Sequence, residues 1–487
     1  MTLRNKSLAA VVWSGADVFL RRGLQFFVSI ALARLLTPTE FGTIALLYLF
    51  TGLASVFADC GVSSALIQRQ DVTHADESTA FWLNVIMGFS MAMVLWLSAP
   101  LISRFYGLRV LVPLTKVLAF TIIISAFGGT HRTLLTKRLD FMMQMKIGAI
   151  ATGIAGVVAI WTAWRGFGMW ALAAQTLSSA FVTTVLLWRL NRWRPRLMFS
   201  CDSARRLFGF GSFVLLSGML DTAYLRIYTV LIGKFFGVSE LGFYNRADAT
   251  TQLPVGELTG ILSRVALPIF STVAHDKEQL RRGVRHALRG IMLISTPVMF
   301  GFIVTARSLV VTLFGSRWMP AVPILQVLCL GGVLWPLHVI NLNVLLAQGH
   351  SNLFFRLEVA KKAFGMGLLA LGTFHGVMGI AWSQVVFAVI AFFINAYYTH
   401  RFLDYGPLRQ IVDFLPVVAV SAAMASAVGL VSCYTTMPAA LLLGIQVALG
   451  VLLFLCLCVI FRLQALQGAW RMACHRLIST GTAAGTP

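Results

Sequence analysis

The sequence predicts an all-α polytopic membrane protein of about fourteen transmembrane helices, built as two pseudo-symmetric six-helix bundles followed by two C-terminal helices. Three observations lead there. Of 487 residues, 58% are hydrophobic and 11% charged, and the mean hydropathy is +0.83, outside the range of soluble domains. Apolar runs of helix-spanning length, such as 147–164, 416–431 and 439–460, recur from end to end, while the short alternating segments of a β-barrel are missing. Finally, one pattern occurs twice. An apolar helix carrying Asp17, Arg21 and Arg22 closes at the turn Thr37, Pro38, Thr39, Glu40, Phe41, Gly42. About 200 residues later, Ser217, Asp221 and Arg226 precede Ser239, Glu240, Leu241, Gly242. In both copies an Arg follows the Asp by five residues, and a basic residue (Arg34 or Lys234) precedes the turn. The Asp-to-Glu intervals differ by four residues, close to one helical turn, so the charges keep nearly the same face. We read this as a duplicated membrane bundle whose halves both supply charge to one cavity.

Taken in order, the spans are expected at 10–34, 41–67, 80–103, 109–130, 147–165, 168–188, 209–235, 241–268, 286–306, 321–347, 357–373, 376–399, 411–433 and 438–461. Arg4 and Lys6 ahead of the first run imitate a signal peptide. That run contains Asp17, Arg21 and Arg22 and has no small-residue cleavage site, so it reads as a retained span. The longest polar connection lies between spans six and seven, which sets the expected domains: a bundle at 1–190, a cytoplasmic linker at 191–208, a second bundle at 209–402, and two added helices with a cytoplasmic tail at 403–487. Six spans per half is even, so the repeat is parallel. Of the 39 Lys and Arg, 26 fall in segments that are cytoplasmic if the N-terminus is inside, and 8 at the outer ends. The positive-inside rule then selects cytoplasmic N- and C-termini. No loop has room for a soluble catalytic or ATPase domain. The basic stretch 131–146 suits an interfacial helix or an ordinary inner loop. Pro254, Pro297 and Pro336 mark expected kinks.

Five basic residues remain inside spans, and they are the candidate site. An Arg at mid-bilayer costs about 2.5 to 3.5 kcal/mol, so Arg21, Arg22, Arg226, Arg246 and Arg264 have to face water or partners. They imply a cationic, substrate-binding cavity. Arg22 lies roughly 18 Å below Arg34 and Arg226 roughly 12 Å below Lys234, near mid-membrane. Arg21 is one turn from Asp17 and can pair with it, whereas Asp17 and Arg22 are about 140° apart and cannot. Arg246, Glu257 and Arg264 share one stripe of a helix. The bland alternative for Arg246 and Arg264 is snorkelling from its two ends. Asp17, Asp221 and Glu257 are the acids able to serve coupling or structure. Among them Asp221 has no basic residue three or four positions later to hold it ionised, which favours it as the switch; pairing with Arg22 across the bundle is the competing reading.

Other chemistry finds no support. Seven scattered cysteines form no CxxC pair and have no His at metal spacing, which leaves no metal site and no disulfide framework. No glycine-rich phosphate loop, HExxH, Asp-x-Asp or GxSxG occurs, so no cofactor is expected and no enzyme activity. A formal charge of +22 with no basic stripe on a soluble domain reflects topology rather than nucleic-acid binding.

The run LLTPTEFGTIALLYLFTGLASVFADCGVSSALIQR, followed by FWLNVIMG and APLISRFYG, resembles the N-terminal signature of polysaccharide-transport flippases of the Wzx or WzxC type, in the multidrug/oligosaccharidyl-lipid/polysaccharide (MOP) exporter superfamily. The resemblance implies a MATE/MOP-like fold and flipping, by alternating access, of undecaprenyl-diphosphate-linked oligosaccharide across the bacterial inner membrane. The product would be lipopolysaccharide or exopolysaccharide. It implies as partners the lipid-linked oligosaccharide, membrane lipids, a polysaccharide polymerase with export machinery, and coupling to protons or Na⁺. It supplies no site motif, so the Arg and Asp assignments rest on the residues alone. A diphosphate suits a cationic cavity, because Arg binds its oxygens in a planar fork. The alternatives are a drug or organic-cation antiporter of the same superfamily, which wants carboxylates, and a membrane polymerase or ligase, which generally has a large outer loop.

Overall fold

The structure, a computed structural model, describes residues 20–69, 71–434 and 437–461. Among these every regular element is a helix: α1 (20–35), α2 (Pro38–Asp59), α3 (Val62–Gln68), α4 (His74–Tyr106), α5 (Leu111–Lys137), α6 (Phe141–Trp164), α7 (Trp170–Leu190), α8 (Cys201–Phe235), α9 (Val238–Thr272), α10 (Lys277–Leu313), α11 (Ala321–Gly332), α12 (Trp335–Ala347), α13 (Ser351–Thr373), α14 (Gly376–Leu403), α15 (Pro407–Tyr434) and α16 (Ala439–Ile460). Eleven segments are long and apolar enough to cross a membrane, with α11 and α12 forming one of them. The chain is a multi-pass membrane protein. Three of the fourteen expected spans fall below that mark. α1 is described only from residue 20. α9 carries Arg246 and Asp248, and α13 carries Arg356, Glu358, Lys361 and Lys362.

Local signals account for the helix ends. Thr37 and Thr73 open α2 and α4 with reciprocal capping boxes to Glu40 and Asp76, satisfying backbone donors that a helix start leaves orphaned. α2 stops where Cys60 turns left-handed. The polar connection expected ahead of the span at 286–306, whose basic residues run from 277 to 289, is instead helical from residue 277, the start of α10. Asp276 caps it, Leu280, Val284 and Leu288 bury one face, and Glu278 pairs with Arg281. At 37 residues α10 is about 55 Å long and must project beyond the hydrocarbon layer. The stretch 131–146 is no separate interfacial helix: it is the end of α5, a tight turn through Leu139 (φ 58°), and the start of α6. Lys137 Nζ there donates to the Leu66 and Arg69 carbonyls at 3.1 and 2.7 Å, closing the C-terminus of α3. Pro336 stands at the break between α11 and α12, while α9 and α10 continue through Pro254 and Pro297.

Packing divides the chain into two compact units, Met1–Gly242 and Phe243–Pro487. In the first unit, the irregular part of the expected linker, 191–200, is strapped to the start of α4. Trp193 Nε1 donates to Glu77 at 2.6 Å, Trp82 Nε1 to the Arg196 carbonyl at 2.9 Å, and the Ser200 amide to Thr79 at 3.1 Å. Phe81, Trp188 and Trp193 pack edge to face beneath this strap. α8, expected to head the second bundle, packs within this unit along α2, α3 and α4.

In the second unit, α10 and α15 are joined by Asp413, which accepts from Arg285 at 2.6 and 2.7 Å, from Arg289 at 2.6 Å and from Tyr405 at 2.7 Å. Such charge-assisted, bidentate pairs are the strong ones. Beside them Lys277 pairs with Asp404 at 2.5 Å, and that contact holds the exposed Asp404 carboxyl below its usual range.

Candidate functional site

The repeated turns meet. A Cβ on Gly42 would overlap the carbonyl of Val238, and a Cβ on Gly242 would overlap the carbonyl of Pro38. Pro38 and Val238 stand at the same place in the two copies, as do Gly42 and Gly242. The contact is therefore reciprocal, and glycine is required on both sides because only a missing Cβ lets the backbones come this close. From this point α2 and α8 run antiparallel. Gly233 faces Leu46, Thr222 faces Gly52, Gly218 faces Val56, and at the far end Gly211 and Gly61 again exclude each other's Cβ. Gly61 has φ 68°, so that position wants glycine on backbone grounds as well.

Arg226 sits midway along this seam. It is about 22 Å from Gly211 and about 16 Å from Gly237 by helical rise. Its guanidinium lies over the ring of Tyr48 on α2, 5.7 Å from the centroid, and the residue is half-buried. Asp221 is exposed on α8, next to Thr222, which touches Gly52. On α1, the Arg21 side chain lies on Gly148 of α6, where a Cβ would collide with it, and Arg22 is exposed. Asp17 lies outside the described residues, as do the side chains of Glu257 and Arg264. Arg246, in the second unit, is 7% exposed. Its guanidinium lies over Phe314 and Trp318, 4.9 and 5.1 Å from their centroids. That arrangement buries the charge against aromatic faces instead of presenting it to a cavity. An open groove in the first unit, lined by Phe127, Phe181, Trp188 and Arg189, includes none of the expected site residues.

A second polar centre was not anticipated from the sequence. Lys361 is 6% exposed inside the second unit. Its Nζ pairs with Glu358 at 2.5 Å and donates to Asn395 Oδ1 at 3.1 Å. Asn395 Nδ2 in turn lies 3.4 Å from Nδ1 of the buried His338. Next to Arg356 and Lys362, Lys361 looks like part of a basic inner loop. The only hint in the sequence is its spacing three residues after Glu358, one helical turn. Among the described residues no cluster of metal-ligating side chains occurs.

With this geometry in hand, comparison with known proteins places it. A family model described as "Polysaccharide biosynthesis protein" matches residues 31–323. Teichuronic acid biosynthesis protein TuaB of Bacillus subtilis (strain 168) is 29% identical over 468 residues, 94% of this chain and 96% of that protein. Lipopolysaccharide biosynthesis protein WzxC of Escherichia coli (strain K12) is 26% identical, covering 81% of this chain and 82% of its own. Among solved structures, the lipid II flippase MurJ in an inward closed conformation superposes with a TM-score of 0.77 at 15% identity, over 93% of this chain and 98% of that one. An inward-facing multidrug resistance MATE transporter of the MOP superfamily gives 0.63 at 16% identity, over 80% and 98%. These likenesses establish a MurJ/MATE-like fold.

Proposed function

We propose, from the premise that this chain belongs to the polysaccharide biosynthesis protein family, that it is a flippase. It carries undecaprenyl-diphosphate-linked oligosaccharide across the bacterial inner membrane for lipopolysaccharide or exopolysaccharide assembly, with both termini cytoplasmic and fourteen spans. The observation that carries this reading is Arg226: a cation midway along a membrane helix, in the seam that runs from the two copies of the repeated turn, with its guanidinium over the ring of Tyr48. A cation at that depth is tolerated only where it has work to do, and a diphosphate headgroup is the ligand whose charge and planar oxygens it matches.

Arg22 and Arg226 bind the headgroup, and Arg21 lines the same cationic surface on α1. Arg246 holds α9 to Phe314 and Trp318 and takes no part in binding. Arg264 and the acids Asp17 and Glu257 are further candidates on their sequence positions alone. The intramembrane Arg other than Arg246 disfavour an organic-cation substrate, and the short loops disfavour a polymerase. Replacement of Arg22 or Arg226 by Ala should abolish polymer export while the protein still inserts. Lys should rescue only in part, because it loses the bidentate fork. Export at the wild-type level by the double Ala variant would refute the assignment.

A further inference from the structure

Resting on the flippase reading, we propose that the buried cluster of His338, Glu358, Lys361 and Asn395 in the second unit is the ion-coupling site, and that the ion it carries is a proton, taken up in exchange for outward movement of the glycan lipid.

The cluster is built at one depth by three helices. Lys361 is ten residues into α13, His338 nine before the end of α12, and Asn395 eight before the end of α14. Those offsets are about 15, 13 and 12 Å from the same end of the bundle, well inside the hydrocarbon layer. Ionisable side chains there are expensive and mark ion pathways more often than they serve packing. Asn395, with 0% exposure, stands between the two basic groups and makes them exclusive. While its Oδ1 accepts from Lys361, its Nδ2 faces His338 Nδ1. That nitrogen must then be the acceptor, and the ring carries its single proton on Nε2. For His338 to hold a second proton at Nδ1, the Asn395 amide has to turn so that its oxygen faces the ring. Lys361 then loses that acceptor and keeps only Glu358. One amide rotation thus links a proton at His338 to the position of α13.

The charges around the imidazole agree. α13 presents Lys361, whose ammonium disfavours a second positive charge on the imidazole, with Glu358 as its ion-pair partner. α14 presents the uncharged Asn395, and on α10 the Asp413 carboxylate pairs with both Arg285 and Arg289 and offsets one of their two charges. The conformation described here is therefore the proton-released one. A buried polar lining leads from this cluster toward one end of the bundle: Asn341, Thr399 and Gln410, each with 0% exposure, run by hydrogen bonds of 2.6 to 3.4 Å from the Asn395 backbone carbonyl to the Tyr405 carbonyl, where Lys277 and Asp404 are exposed; amides do not themselves relay a proton, so the lining serves as a polar wall along which water would carry it. Toward the other end, the buried residues of α14 are Ala391, Phe392, Ala388, Ala381 and Ile380, with Ser383 the one polar group. Na⁺ does not fit. A hard cation needs several oxygens, and of the three side-chain oxygens the cluster offers, Glu358 Oε1 and Asn395 Oδ1 are already held by Lys361 Nζ, which leaves one carboxylate oxygen.

The test is transport of a labelled undecaprenyl-diphosphate oligosaccharide in proteoliposomes containing the full chain, under an imposed pH or Na⁺ gradient, with a trapped pH dye. For one proton per glycan, each pH unit of acidity in the receiving compartment should raise the accumulation ratio about tenfold. A Na⁺ gradient should change nothing, and the dye should report proton movement only when the glycan lipid is present. His338→Gln should still equilibrate the lipid without a gradient and lose the pH response. A Na⁺ response, a pH response surviving in H338Q, or wild-type flipping indifferent to pH would overturn the proposal and leave the flippase reading standing. No flipping by wild type under any gradient would sink both. The dye measurement on wild type decides the matter even if the variants fail to fold.

Discussion

A guanidinium stacked between two aromatic faces is stable where a solvated one would be, and Arg246 shows how a membrane helix keeps such a charge. With Phe314 and Trp318 at about 5 Å, each desolvated cation–π contact contributes about 2 kcal/mol, comparable to the insertion cost of the Arg itself. Arg246→Ala should therefore lower unfolding stability in detergent by about 2 kcal/mol, and Arg246→Lys by less. Neither should change glycan export at equal protein level; a stable but export-dead Arg246→Ala would return this residue to the substrate site. At this scale the sequence was only partly legible. It singled out intramembrane Arg by cost, but cost does not distinguish Arg226, midway along a seam, from Arg246, roofed by rings that lie about 70 residues further on. Lys361 escaped altogether: it falls near the start of the expected span 357–373, beside Arg356 and Lys362, and its partners on α12 and α14 are invisible to local spacing.

Among the elements, the antiparallel contact of α2 and α8 depends on glycine at both ends, and that dependence has a measurable form. Gly242→Ala or Gly42→Ala puts a methyl inside a backbone carbonyl of the opposite turn, a crowding that typically costs about 1 to 3 kcal/mol and moves the backbones apart. Gly153, mid-helix in α6 with nothing within 4 Å, is the matched control. There Ala should be neutral or stabilise by up to about 1 kcal/mol. Thermal unfolding in detergent and insertion level separate the two. Equal behaviour of G242A and G153A would mean that the turns do not hold each other. The turn itself was readable from its recurrence and from the Thr37, Pro38 and Glu40 capping signature. That its two copies touch was not, since a repeat states similarity and says nothing of contact. The polar connection expected ahead of the span at 286–306 failed for a related reason. Its basic residues dominate the composition, but Leu280, Val284 and Leu288 recur at helical spacing, and burial of that face decided the outcome.

For the whole chain, contacts within each unit sort the connections into two ends, and this sorting is what the topology has to satisfy. In the first unit one end gathers Leu66, Arg69, Glu77, Lys137 and Trp193, joined by the Lys137 and Trp193 hydrogen bonds. The other gathers the turn at Thr37–Gly42, which meets Gly168 and Val238, and Lys234, whose Nζ donates to the Phe105 carbonyl. In the second unit, the Lys277–Asp404 pair, the Arg285–Asp413 pair and the stacked His350 and Phe402 rings share an end. Each grouping is the one that alternate crossings of the expected spans require. The positive-inside rule assigns the end of the first unit that is richer in basic residues to the cytoplasm, and this is the expectation to be tested. Reporter fusions after residues 199 and 279 should accordingly read as cytoplasmic, and a fusion after 237 as periplasmic. The 199 fusion is the most demanding of the three. It lies within the strap that Trp193 and Ser200 pin to the start of α4, so a periplasmic reading there would move the α4 N-terminus with it. That outcome would invert every span of the first unit.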